Sequence, residues 1–243
     1  MIPRKIHYCW FGGGPMPPLT KECIASWKRV MPNWEYKMWN ETNFDINSIP
    51  YTKEAYDAGK CAFVSDYVRL YALKKEGGVY LDVDFEVYKP FDDLLHHRAF
   101  AGFEGSKHQP VMMGVCASEA HGEWVSEMLN AYQGRHFLKS NGTADLTTNV
   151  QFVSAIMTAN GFHPNGKEQN YRDLHVFPVD FFSPHLTTGE YLRTANTYCE
   201  HKGLSSWDTH TANWKTAIQK IVGQKNMTRL IKLKRRLNKT INY

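Results

Sequence analysis

The sequence predicts an α/β fold built on a mostly parallel sheet with helices on its faces. Three observations carry that expectation. Residues 5–39 read strand, helix, strand. Apolar helical and extended segments go on alternating downstream. An Asp82-Val83-Asp84 triplet stands at the carboxyl end of a short apolar strand, where open α/β sheets bind their ligands.

Residues 5–10 form a short apolar strand, and Gly12, Gly13, Gly14, Pro15 and Pro17 then force a loop. A helix is predicted over 19–30, ended by Pro32, and a second strand over 34–39. Residues 40–50 are polar and turn-rich. The apolar helix 61–76 stops at Gly77-Gly78, a glycine C-terminal stop. A buried strand follows at 79–81, and 85–88 continues extended until Pro90. Short strands are predicted near 99–103, 111–117 and 197–200, and an extended run over 175–182. Helices are predicted at 123–132, 148–159, 210–222 and 227–237. No internal repeat or low-complexity linker divides the chain, so 1–224 reads as one domain and 225–243 as a basic C-terminal helix.

With 243 residues, 42% hydrophobic and 22% charged, the chain can bury a substantial core without staples. Its net charge of +5 is local, because 225–243 holds seven Lys or Arg and no acid. Nucleic-acid binding by the whole fold is therefore not expected. Cys9, Cys23, Cys61, Cys116 and Cys199 are scattered and odd in number, which argues for free thiols rather than a disulfide framework. Neither a signal-like apolar run nor ~20 consecutive apolar residues is present. The expected location is cytoplasmic, at most peripheral on a membrane. Leu230, Leu233 and Leu237 share one helical face among basic residues, as in a helix lying on an anionic bilayer, although a solvated helix docked on the domain gives the same pattern.

Asp82 and Asp84, two apart on a strand, are expected to point to one side. Carboxylates so placed repel unless a cation lies between them or one takes a proton. Oxygen ligands suit Mn²⁺ or Mg²⁺, which bridges phosphates and stabilises them as a leaving group. Solvated acids at a strand end would show the same letters. On the preceding helix, Asp66 and Arg69 share a face, so an otherwise apolar helix displays one acid and one base. A surface ion pair is one reading; a grip on sugar hydroxyls and phosphate oxygens is the other.

Phe63-Val64-Ser65-Asp66-Tyr67-Val68-Arg69 followed by Gly77-Gly78-Val79-Tyr80-Leu81-Asp82-Val83-Asp84 resembles the sugar-binding region of glycosyltransferase family 32. That family includes bacterial capsular-polysaccharide transferases, and the glucosyltransferase domains of the large clostridial toxins share its core. The opening Ile2–Gly13 resembles its first strand. The resemblance implies a GT-A fold, a nucleotide-sugar donor, a divalent metal and retention of anomeric configuration. It implies that Trp10 stacks on the donor base, usually uracil, and that Asp66 and Arg69 grip the donor sugar. Asp82 would contact ribose and metal, and Asp84 the metal directly. His201…Ser206-Trp207 resembles the family's late element, in which His201 would complete the metal site and Trp207 close over the diphosphate. The helix opening Thr147-Thr148-Asn149-Val150-Gln151 falls where the family commonly shows a Thr-Gly-Pro turn; the Gly-Pro is absent here, and Asn149 or Gln151 is the amide expected to reach the reaction centre.

The resulting expectation is a retaining, metal-dependent transfer of a hexose, from a uridine diphosphate hexose by default, to a saccharide or lipid-linked saccharide in surface polysaccharide synthesis. A non-catalytic sugar-nucleotide or carbohydrate binder is the alternative from another class. An Asp-x-Asp phosphohydrolase fits less well, because its pair belongs to the N-terminal strand and Glu86 occupies the place of its Thr or Val.

Overall fold

The computed structural model describes residues 1–105, 110–186 and 190–203. Met1–Lys202 forms one compact unit. Ser206, Trp207, the helices predicted at 210–222 and 227–237, and the basic segment 225–243 lie outside the described residues.

The main sheet has β1 (Lys5–Cys9) between β2 (Glu35–Trp39) and β3 (Gly78–Leu81), parallel to both. Beyond β3, β6 (Val111–Ser118) runs antiparallel to β3 and to β5 (Ala99–Phe103). At the far edge, β8 (Leu174–Phe177) is parallel to β5 and β7 (Gln169–Tyr171) antiparallel to β8. All of these strands but β6 and β7 therefore run one way, as the sequence predicts. The carboxyl ends of β1, β3 and β5 consequently share one edge. Trp10, Asp82 and Glu104, the residues that follow them, are delivered there.

Side chains alternate between two cores, as a sheet covered on both faces requires. Val79 and Leu81 join one core, with Trp27 of α1 (Pro18–Val30). Tyr80 joins the other, with Val64, Val68 and Leu73 of α3 (Cys61–Glu76) and Trp124 of α4 (Glu123–Asn130). Gly77 (φ 64°) stops α3, its N–H returning to Leu73 O. Gly78 (φ 121°) then starts β3, where a Cβ would lie 2.7 Å from Lys5 O. His7 fastens this corner. Its Nε2 donates to Gly77 O (2.8 Å) and its Nδ1 accepts from Trp39 Nε1 (3.0 Å). Burial lowers its pKa, so the imidazole is neutral.

A helix that the sequence reading missed, α2 (Pro50–Asp57), follows the polar stretch. Pro50 opens it as a first-turn proline, and Tyr51, Thr52 and Ala55 turn inward. A second sheet pairs β4 (Phe85–Val87) antiparallel with β9 (Cys199–His201). All five cysteines are free. Burial pushes the Cys9 thiol up to about 12, which suits packing and not nucleophilic attack.

Candidate active site

Arg69 and Asp66 of α3 form a buried ion pair, not a surface one. Nη2 of Arg69 meets Oδ1 of Asp66 at 2.9 Å, with the side chains 4% and 1% exposed. A buried guanidinium needs all its donors engaged. Arg69 Nη1 donates to Met113 O (2.6 Å) and reaches Asp82 Oδ2 (3.5 Å), Nε donates to Ser65 O (3.3 Å), and the Tyr80 ring lies 4.7 Å from its central carbon. Burial raises the Asp66 carboxyl to about 7. The Arg69 charge opposes that rise and the Asp82 charge adds to it.

Asp82 and Asp84 do not lie on a strand. β3 ends at Leu81, and both sit in the tight turn before β4, closed by Phe85 N–H to Asp82 O (3.1 Å). The alternation rule therefore does not set their directions; each is held by a different neighbour. Asp82 Oδ1 accepts from the Tyr80 hydroxyl (2.8 Å) while Arg69 flanks it. Asp84 Oδ2 meets His201 Nε2 at 2.9 Å. The β4–β9 ribbon makes that contact across 117 positions. Phe85 pairs with His201, their rings stack at 4.8 Å, and Lys202 N–H donates to Asp84 O (2.8 Å). Desolvation pulls the His201 pKa down, but the Asp84 hydrogen bond and the Asp84, Asp82 and Glu104 charges outweigh it and raise it.

Trp10 stands half-buried just past β1, its Nε1 donating to Gly14 O (2.6 Å), so the glycine loop fixes the indole at the sheet edge. Asn149, buried at the start of α5 (Asn149–Ala159), donates from Nδ2 to Asp66 O (3.1 Å). It therefore meets α3 through the backbone at Asp66. Gln151 is spent differently. It completes a capping box, taking the Thr148 N–H (3.1 Å) while Thr148 Oγ1 takes the Gln151 N–H (3.3 Å). The signal Thr-x-x-Gln for that cap is in the sequence.

Three participants were not foreseen. Tyr80 supports both Arg69 and Asp82, and its position two residues before Asp82 is the signal that was available. Met113 offers only a carbonyl, which no side-chain pattern reveals. Glu104 follows β5, and burial raises its carboxyl to about 7 beside His201, Asp82 and Arg69. Finding it required knowing that β5 runs parallel to β3.

Among the described residues no three Asp, Glu, His or Cys side chains already converge as a metal-binding set. Asp84 and His201 meet and Asp82 lies on the same turn, and two carboxylates with an imidazole are donor types that suit a hard or borderline divalent ion. Such ions at phosphate sites take one or two carboxylates and fill the remaining positions with phosphate oxygens and water.

Residues 17–101, which include both aspartates, match the family described as "Glycosyltransferase sugar-binding region containing DXD motif". A 45-residue stretch, 18% of this chain, is 51% identical to 12% of glucan organizing enzyme 1 of Cryptococcus neoformans var. grubii. Over 107 residues the chain is 31% identical to inositol phosphoceramide mannosyltransferase 3 of Schizosaccharomyces pombe, matching 41% of this chain and 29% of that one. The chain thus spans under a third of the length of these two curated relatives. Among solved structures, the PaToxG glycosyltransferase superposes with a TM-score of 0.51 at 15% identity, over 66% of this chain and 70% of that one. It shares the fold.

Proposed function

We propose, from the premise that this chain carries the DXD-containing glycosyltransferase sugar-binding region on a GT-A fold, that it transfers a hexose from a nucleotide sugar, by default a uridine diphosphate hexose, to a saccharide or lipid-linked saccharide. One observation supports this reading most. A buried Asp66–Arg69 pair touches Asp82, and the Asp84–His201 contact stands on the same turn. An acid and a base are thereby held beside the carboxylates of the DXD motif, which supports reading them as the grip on the donor sugar.

GT-A enzymes with this motif typically use a divalent metal. Asp82, Asp84 and His201 would hold it here, Mn²⁺ or Mg²⁺, and it would supply charge stabilisation to the departing diphosphate. The chain's own groups do the rest. Trp10 stacks on the base. Asp66 accepts hydrogen bonds from sugar hydroxyls and Arg69 donates to sugar or phosphate oxygens, both pre-oriented by burial. The acceptor hydroxyl attacks from the face the diphosphate leaves, so configuration is retained, and a phosphate oxygen of the leaving group takes its proton. Trp207 and Ser206 complete the donor side by the resemblance alone.

No helix among the described residues is long and apolar enough to cross a membrane. The basic segment 225–243 would bind an anionic bilayer peripherally; equal liposome co-sedimentation with and without it would discard that role. The direct test of function is incubation with a panel of nucleotide sugars and Mn²⁺, with EDTA as control. Release of nucleoside diphosphate that EDTA stops supports the transferase. Donor binding with no release in any combination of sugar and acceptor leaves the non-catalytic binder as the answer.

A further inference from the structure

Trp10 owes its orientation to the glycine loop, and that loop has little to hold it. Gly12, Gly13 and Gly14 are exposed, carry no side chain to pack, and have the most backbone freedom to lose on ordering. Gly12 (φ 90°) and Gly13 (φ 66°) are left-handed. Gly14 O takes the indole N–H (2.6 Å), so the set of the ring depends on how well residues 12–16 are fixed. Among the described residues one hydrogen bond ties 12–16 to a distant part of the chain. Gly12 N–H donates to Glu41 Oε1 at 2.5 Å, across 29 positions.

Glu41 itself is well braced. The same Oε1 accepts from the Tyr56 hydroxyl of α2 (3.0 Å). Glu41 stands on the turn after β2, and that turn is closed by its own bonds. Asn40 Oδ1 takes the Thr42 N–H (2.9 Å), Asn43 Oδ1 takes the Asn40 N–H (3.0 Å), and Asn43 Nδ2 donates to Met38 O (2.8 Å). Phe44 N–H returns to Asn40 O (3.0 Å), and its buried ring meets Phe11, the residue before the glycines, edge to face at 6.2 Å. Burial pushes the Glu41 carboxyl up, but the Gly12 N–H, its own N–H and the Tyr56 hydroxyl outweigh it and hold it below the ordinary value. Its bond to Gly12 is therefore charge-assisted, the stronger kind.

We propose that Glu41 is a positioning residue for Trp10: its carboxylate, braced by Tyr56, holds the glycine loop in the shape that presents the indole as a platform for the donor base. The proposal rests on the reading that Trp10 stacks on that base. Glu41 acts through Gly12 and Gly14 rather than by touching the donor. Ordering the loop before the donor arrives spares binding that cost.

The test is calorimetric binding of uridine diphosphate and of inorganic pyrophosphate, each with Mn²⁺, to wild type, Glu41→Ala, Glu41→Gln, Trp10→Ala and the Trp10→Ala/Glu41→Ala double variant. Glu41 is exposed, so its replacement should leave Tm nearly unchanged. On charge alone, removing a carboxylate would tighten both anions. Positioning predicts the opposite for one of them. Glu41→Ala should weaken uridine diphosphate about fivefold to tenfold, part of what one stacked base supplies, and should not weaken pyrophosphate, which has no base. Glu41→Gln keeps an acceptor for Gly12 and should recover most of that loss. With Trp10 already removed, Glu41→Ala should cost nothing further, because a residue that acts through the indole has nothing left to position. Unchanged uridine diphosphate affinity in Glu41→Ala, a loss shared by pyrophosphate, or a loss that persists without Trp10 would overturn the proposal and leave the base-stacking reading standing. Undiminished uridine diphosphate affinity in Trp10→Ala would sink the base-stacking reading itself, and the proposal with it.

Discussion

Replacing Asp66 by asparagine separates what this buried carboxyl costs the fold from what it does in the site. Burial raises Asp66 from the ordinary 3.8 to about 7. The folded chain therefore keeps a proton that the unfolded chain releases. Stability is full below about pH 4, falls as the pH rises toward about 7, and is flat above it. At about 1.4 kcal/mol per pH unit, the loss is on the order of 4 kcal/mol. The amide reproduces the protonated carboxyl in size and cannot ionise. Asp66→Asn should thus match wild type near pH 4 and exceed it by on the order of 4 kcal/mol at pH 8, while losing sugar transfer. Guanidinium unfolding of both proteins at pH 4, 5, 6, 7 and 8 gives the difference directly. Parallel curves, or a wild type that gains on the variant as the pH rises, would refute the reasoning, because Asp66 would then be ionised throughout and held by Arg69.

Gly114→Ala would place a Cβ 2.6 Å from the Phe85 ring and 2.9 Å from Asp82 Oδ2. Thermal unfolding should show a loss of about 1–3 kcal/mol, and turnover should fall further than stability because the strained groups belong to the site. Glu200 is held down to about 2: burial pushes it up, but hydrogen bonds from Tyr191, His185, Tyr88 and Lys202 prevail. Its contribution is present above the ordinary 4.5 and lost as the pH falls toward 2. Glu200→Gln should cost about 2–3 kcal/mol at pH 7 in denaturant titrations, a gap that closes under acid conditions. Trp10→Ala should weaken uridine diphosphate binding by about 1–3 kcal/mol, the worth of one base stacked on an aromatic ring, readable by calorimetry.

The parts of the site that share one short segment were legible in the sequence. Asp66 and Arg69 are one helical turn apart on α3, so spacing alone pairs them, and the Gly77-Gly78 stop marks where α3 gives way to β3. The burial of that pair was not legible, because it depends on Met113 O and Tyr80 closing over the guanidinium from other strands. The Asp82–Asp84 arrangement misled. Period-two alternation presumes an extended backbone, and the chain turns immediately after Leu81. His201 was reached only through resemblance, since its contact with Asp84 is made by a three-residue strand pairing far along the chain. Glu104 gave no local signal; it matters because β5 and β3 end at the same edge of the sheet, with β6 between them.

The central claim is that Asp84, with Asp82 and His201, binds a divalent ion against the donor diphosphate. Calorimetric titration of uridine diphosphate into wild type and Asp84→Ala, each with Mn²⁺ and with EDTA, tests it most directly. Mn²⁺ should tighten binding about tenfold or more in wild type and not at all in the variant. Equal tightening in both proteins, or none in either, would contradict the account.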